Sequence, residues 1–247
     1  MTTDASRSLS VVVTAMNEIG NLEPTVKNIL AAAGPRIPDV EVIIVDDGST
    51  DGTSVLADRM AGADSRIVVH HNGQNRGLAY SYKTGISLAT KRYTSWVAGN
   101  NIVPLKAMED LYDRTGTVDT VLSYVLNDVR GVFRRSVSRT FTILVNCLFG
   151  VRLRYYTGPC VYRTHVLKQL KCISEGSTIV PEILLRMVKS GDSYVEIPLQ
   201  PQPRTAGATK TFRMRNVVAV ALSLASLFWD IQIRGARHNR RPNPVDV

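Results

Sequence analysis

Short runs of aliphatic and β-branched residues alternate with stretches of helical spacing through the first half of the chain. Residues 9–14, 40–45, 67–70 and 93–98 read as strands. Residues 21–33, 54–60 and 78–89 carry apolar positions at helical intervals, with Leu22, Val26, Ile29 and Leu30 marking the first of these. Gly34-Pro35 stops that first helix. Strands alternating with helices at this interval predict βαβ units and a mostly parallel sheet. The second half is less regular. Residues 118–126 predict a strand, 132–149 a helix, 160–162 a short strand, 165–170 a short helix, 178–190 a helix and 194–199 a strand. Pro201-Gln202-Pro203-Arg204 then reads as a stiff extended loop.

The run Val40-Glu41-Val42-Ile43-Ile44-Val45 reads as a strand buried on both faces, and it ends abruptly in Asp46-Asp47-Gly48-Ser49-Thr50-Asp51-Gly52-Thr53. Two adjacent carboxylates at the carboxyl end of a central strand lie where open α/β sheets bind ligands. Asp and Ser are also ordinary helix caps, but a third carboxylate four positions on is more than a cap requires.

Composition narrows the ligand. A formal net charge of +9 and a pI near 9.7 favour an anionic partner: nucleotide phosphates, lipid phosphates or nucleic acid. Nucleic acid is disfavoured, because aromatics make up only 6% and no RRM, KH or helix-turn-helix signature appears. A dinucleotide-binding dehydrogenase would need G-x-G-x-x-G after the first strand, where Ala15-Met16-Asn17-Glu18-Ile19-Gly20 stands. Three cysteines at positions 147, 160 and 172 make no disulfide framework, and residues 1–8 carry no apolar leader core, so a reducing, cytoplasmic setting is the expectation. Residues 217–229 are strongly apolar but fall short of the roughly twenty needed to span a bilayer. With Arg213 and Arg215 before them and Arg234, Arg237, Arg240 and Arg241 after, they fit an interfacial helix on the inner face of an anionic membrane. A core helix or a homo-oligomer interface fits equally well.

Five motifs in order carry a resemblance: Met16-Asn17-Glu18, Val45 to Thr53, Asn75-Arg76-Gly77-Leu78-Ala79, Thr157-Gly158, and Arg204-Thr205-Ala206-Gly207-Ala208-Thr209-Lys210. Over roughly residues 9–212 the chain resembles the family 2 glycosyltransferases of GT-A fold, and most closely their polyprenyl-phosphate (dolichol-phosphate mannose synthase-like) branch. The resemblance implies a GT-A (Rossmann-like) α/β domain over residues 1–212 and a basic amphipathic helical tail over 213–247. It implies an inverting hexosyltransferase that moves a sugar from a UDP- or GDP-linked donor to an anionic acceptor, a polyprenyl or other lipid phosphate. A soluble phosphorylated or nucleoside acceptor, or nucleotide-sugar binding without turnover, are the alternatives.

The same resemblance implies a donor-binding set of Asn17, Glu18, Asp46, Asp47, Arg76, Gly99, Asn100 and Lys210, with Glu18 and Asp47 on base and ribose. Carboxylates suit that task, since they accept from ribose hydroxyls and base N–H groups. Arg134, Ser138, Glu182 and Arg204 are implied around the acceptor. Arg134 and Ser138 share a helix face, and arginine offers forked donors to phosphate. Two departures stand out. The family's Asp-x-Asp, which holds Mg²⁺ or Mn²⁺ on the donor diphosphate, is replaced by Gly99-Asn100-Asn101. That leaves Asn101 as the metal-side residue, a weaker ligand than a carboxylate. Arg154-Tyr155-Tyr156 also stands where the branch often has an Asp before Thr157-Gly158.

Overall fold

The computed structural model describes residues 7–126, 131–203 and 214–234. Four strands, β1 (Ser8–Ala15), β2 (Asp39–Asp46), β3 (Ile67–His71) and β4 (Tyr93–Ala98), pair in parallel in the order β3-β2-β1-β4. The helices between them are α1 (Leu22–Ala33), α2 (Thr53–Ala63) and α3 (Leu78–Leu88). This is the βαβ winding expected from the alternating pattern. Because the strands are parallel, their carboxyl ends and the loops that follow all emerge on one edge of the sheet.

The sheet continues as β4-β6-β5-β7, with β5 (Thr120–Val125), β6 (Val161–Arg163) and β7 (Tyr194–Leu199). The short β6 runs antiparallel to β4 and β5, while β5 and β7 are parallel. The remaining helices are α4 (Leu105–Asp113), α5 (Val132–Phe149), α6 (Thr164–Gln169), α7 (Ile179–Lys189) and α8 (Met214–Phe228), the last running into a π-helical stretch, Trp229–Arg234. The helix α4 is not among the elements that the sequence pattern predicts. Its Ala107, Met108, Leu111 and Tyr112 are buried against the α1 side of the sheet.

Burial on both faces of β2 follows from its period-2 geometry. Val42 and Ile44 join the core formed with α1, α2 and α4, while Ile43 and Val45 join the core formed with α3, α5, α6 and α7. The C-terminal helix belongs to this second core through Leu224 and Leu227, and Phe228 meets Phe149 edge-on at 6.1 Å. One face of the apolar C-terminal stretch is therefore core. The other leaves Leu222, Trp229 and Ile233 exposed. The residues around the 212/213 boundary lie outside the described residues.

Candidate active site

Three loops meet at the carboxyl edge of β1, β2 and β3, and carboxylates tie them together. Adjacent strand-end residues point to opposite faces, so Asp46 and Asp47 take different partners. Asp46, 2% exposed, accepts from the Ser49 N–H at 3.2 Å, Ser54 Oγ at 2.6 Å and His71 Nδ1 at 3.0 Å. Asp47, 5% exposed, accepts from Asn72 Nδ2 at 2.8 Å and from the backbone N–H groups of Arg76 and Gly77, each at 2.9 Å. Asp51 accepts from the N–H groups of Ile19 and Thr53. The three carboxylates expected to open on a crevice thus spend most of their acceptor capacity holding the loops that shape it. A carboxylate at the first turn of α3 is also favoured by the helix dipole.

Gly48 explains why this turn needs glycine. Its φ is +71°, and an added Cβ would lie 2.5 Å from the Gln74 carbonyl carbon and 2.6 Å from the Asn75 nitrogen. Backbone of the β2–α2 loop thus rests directly on backbone of the β3–α3 loop. Asn17, at φ +55°, completes the arrangement. Its Oδ1 accepts from the Thr50 N–H at 2.8 Å, and its own N–H donates to Ser49 Oγ at 2.9 Å. The Glu18 N–H donates to Thr53 Oγ1, and the Glu18 carboxylate accepts from Asn21 Nδ2 at 2.6 Å. Arg76 is exposed, its guanidinium stacked 3.6 Å over the Tyr80 ring.

His71 bridges Asp46 and, through Nε2, Asp58 at 3.0 Å. Two carboxylate partners call for both ring nitrogens protonated. The hydrogen bonds to Asp58 and then Asp46 raise its pKa above the ordinary 6.5. The stability this group contributes is complete below pH 6.5 and is lost as pH rises through the raised folded value. For Asp46, burial alone would raise the pKa, but hydrogen bonds from Ser49, Ser54 and His71 outweigh it and the net shift is downward from 3.8. Its contribution is present above that value and is lost as pH falls through the lowered one. The melting-temperature gap between wild type and His71→Gln is therefore expected to be widest just below pH 6.5 and to narrow steadily as the pH is raised. A gap that widens with pH would contradict this assignment.

The end of β4 differs in kind. Asn101 is 7% exposed with φ +53°, a left-handed conformation that Asn tolerates better than most residues. Its Oδ1 accepts from Asn28 Nδ2 at 3.2 Å and Gln202 Nε2 at 3.4 Å. Asn100 Oδ1 accepts from the Ile102 N–H at 3.4 Å. No group of three or more His, Cys, Asp or Glu side chains able to hold a metal occurs among the described residues. Asn101 is thus part of an amide cluster, and Gly99-Asn100-Asn101 offers a divalent cation neutral oxygens and no carboxylate.

The residues implied for the acceptor are more dispersed. Arg134 and Ser138 lie on α5, the side chain of Arg134 outside the described residues and Ser138 half-buried. Arg204 and Lys210 lie outside the described residues. Glu182 on α7 is fully buried. It accepts from the N–H groups of Ile173 at 2.9 Å and Ser174 at 2.8 Å and from Arg186 Nε at 2.8 Å. Lys83 of α3 donates to the carbonyls of Cys172 and Ser174, both at 3.0 Å. The chain from Cys172 to Ser174 is therefore clamped between α7 and α3, and Glu182 is a buried carboxylate rather than a surface one. Thr157-Gly158 also has a packing basis, since a Cβ on Gly158 would lie 2.2 Å from Ser123 Oγ. Asn146, unmarked by any motif, holds the preceding loop through the Leu153 backbone and the Tyr156 hydroxyl.

A parallel sheet with pinned loops over one strand edge and a short antiparallel insertion beyond it is the architecture of GT-A nucleotide-sugar transferases. The chain belongs to glycosyl transferase family 2, whose model matches residues 10–170. It is 30% identical over 214 residues to a polyprenol monophosphomannose synthase from Mycolicibacterium smegmatis, an alignment covering 81% of this chain and 79% of that one. It is 28% identical over 232 residues to a dodecaprenyl-phosphate galacturonate synthase from Rhizobium johnstonii, covering 91% and 67%. In fold it is similar to mannosyl-3-phosphoglycerate synthase from Rubrobacter xylanophilus, with a TM-score of 0.71 at 14% identity over 97% of this chain and 78% of that one. It is also similar to glucosyl-3-phosphoglycerate synthase from Mycobacterium tuberculosis in complex with Mn²⁺, UDP-glucose and phosphoglyceric acid, with a TM-score of 0.68 at 18% identity over 92% and 81%. The protein is a glycosyltransferase.

Proposed function

We propose that this transferase moves a sugar from a UDP- or GDP-linked donor to the phosphate of a polyprenyl or related lipid. The observation that carries this reading is the 30% identity to a polyprenol-phosphate mannose synthase across four fifths of both chains. In the proposed reaction an ionised oxygen of the acceptor phosphate attacks the anomeric carbon of the sugar. The bond from that carbon to the nucleoside diphosphate breaks with inversion, and its electron pair leaves with the diphosphate. An acceptor phosphate is already anionic near neutral pH, so positioning and charge stabilisation supply the catalysis.

In this reading Asn17, Glu18, Asp47, Arg76, Gly99 and Asn100 frame the donor pocket, and Asp46 acts through the loop it braces. Arg134, Ser138 and Arg204 receive the acceptor phosphate, and Lys210 neutralises donor charge. A divalent cation, where one is used, would enter with the donor diphosphate, because the β4 end lacks anionic ligands. Residues 213–247 carry six arginines against two aspartates. No helix among the described residues is long and apolar enough to cross a membrane. Val132, Ile143 and Leu144 on α5 are exposed together with Arg135 and Arg139 of the same helix, and Leu222 and Trp229 are exposed on the C-terminal helix. An apolar surface set with arginines suits peripheral contact with an anionic bilayer that carries the acceptor.

Arg134→Ala separates the two substrates. It is expected to cut transfer to a polyprenyl phosphate by about tenfold to a hundredfold, the loss of a charge-assisted contact, while leaving nucleotide affinity within error. Transfer rates with radiolabelled donor and nucleotide titration by calorimetry read the two effects independently. A parallel fall in both, or in neither, overturns the acceptor role.

A further inference from the structure

The amide cluster at the end of β4 joins parts of the chain that are far apart in sequence. Asn28 comes from α1, Asn101 from the turn after β4, and Gln202 from the Pro201-Gln202-Pro203 segment that follows β7. Gln202 is bonded at both its ends. Its backbone N–H donates to the Ile102 carbonyl at 3.0 Å, and its Nε2 donates to the Asn101 carbonyl at 2.9 Å and to Asn101 Oδ1 at 3.4 Å. Asn28 Nδ2 donates to the same Oδ1 at 3.2 Å. A side-chain oxygen that receives two amide donors is occupied as a hydrogen-bond acceptor. The flanking prolines restrict the segment's backbone, so the one residue between them carries the attachment.

We propose that Gln202 is a positioning residue that seats the segment entering Arg204 on the donor-side turn Gly99-Asn100-Asn101, with Asn101 serving as its docking site instead of as a metal ligand. This chain thereby fixes its acceptor-side segment to its donor-side turn by neutral amide contacts that need no cation. The role assigned to Gln202 rests on the proposed acceptor role of Arg204. The docking itself does not.

The chemistry makes the contact sensitive to one functional group. Gln202→Glu keeps the shape of the side chain but replaces the donor Nε2 with an oxygen, which then faces the Asn101 carbonyl and Oδ1. Gln202→Ala removes the contact, and Asn28→Ala weakens it from the α1 side.

Two readouts on the full chain test the proposal. Hydrogen exchange over residues 199–204 is expected to speed up in Gln202→Glu and Gln202→Ala at unchanged melting temperature. The KM for a short-chain polyprenyl phosphate is expected to rise by about tenfold, the scale of a lost hydrogen bond, with nucleotide affinity unchanged. Asn28→Ala is expected to show both effects more weakly, and supplies the measurement if the Gln202 variants fail to fold. Wild-type exchange in residues 199–204 in all variants overturns the docking. Faster exchange with unchanged KM, or with an equal loss of nucleotide affinity, overturns the positioning role. If wild type transfers no sugar to any lipid phosphate, the proposed function fails, and the exchange data still decide the docking.

Discussion

Glu182→Ala is expected to destabilise the protein by about 3–5 kcal/mol, the penalty for breaking a buried charged pair from one side. Glu182 is 0% exposed, and the Arg186 side chain it bonds is 11% exposed. Removing the carboxylate leaves the N–H groups of Ile173 and Ser174 without their acceptor, and leaves Arg186 with Asp230 as its remaining carboxylate contact. The same change removes the hydrogen bonds that tie the Cys172–Ser174 stretch to α7 and leaves those from Lys83. Urea unfolding measures the loss. Glu182→Gln keeps one acceptor oxygen and should fall between wild type and the alanine variant in stability. Because the family resemblance implies a carboxylate beside the acceptor at this position, the glutamine variant also separates two roles. A brace gives lower stability with activity retained in the folded fraction. A group acting directly on the reaction gives a wild-type melting curve with collapsed turnover, and that result would contradict the structural account.

Asp47→Asn is the second large effect, and it is expected in binding. One oxygen must then serve where two now receive three N–H donors, and the new amide points N–H at the Gly77 N–H or at the Asn72 and Arg76 donors. The negative charge at the start of α3 is lost as well. The β3–α3 loop with Asn75 and Arg76 should loosen, and nucleotide affinity should fall by about 1.5–3 kcal/mol, the scale of charge-assisted hydrogen bonds. Calorimetric titration with UDP and GDP measures it, with circular dichroism confirming the fold. Unchanged affinity for the nucleotide that wild type binds would remove Asp47 from the site.

These two residues also show how far the sequence can be read. The strand burial was legible because Val42 to Val45 must fill both faces of a parallel sheet, and α5 and β7 begin and end where their patterns do. The short β6 reads as a strand, but its antiparallel course depends on partners that no local pattern specifies. The helix α4 follows Pro104 with no side-chain cap to announce it, and no sequence signal predicts its start. Asp46 and Asp47 were legible as a pair of strand-end carboxylates but not as two residues with opposite partners. The period of two separates them, and the identities of those partners, His71 and Asn72, come from tertiary packing. Glu182 stands beside Pro181 and Ile183-Leu184-Leu185 in the sequence, and its burial agrees with those apolar neighbours. The Asn101 contact with Gln202 spans 101 positions of sequence, so the loss of Asp-x-Asp is visible in the sequence while the amide cluster in its place is not.

This family 2 chain is expected to transfer sugar to a lipid phosphate. The most direct measurement incubates the full protein with UDP- and GDP-linked sugars in the presence of either a polyprenyl phosphate in detergent or 3-phosphoglycerate, and detects glycosylated product by mass spectrometry. The account predicts a polyprenyl-phosphate sugar with at least one donor and no product on phosphoglycerate. Product on phosphoglycerate alone would contradict it.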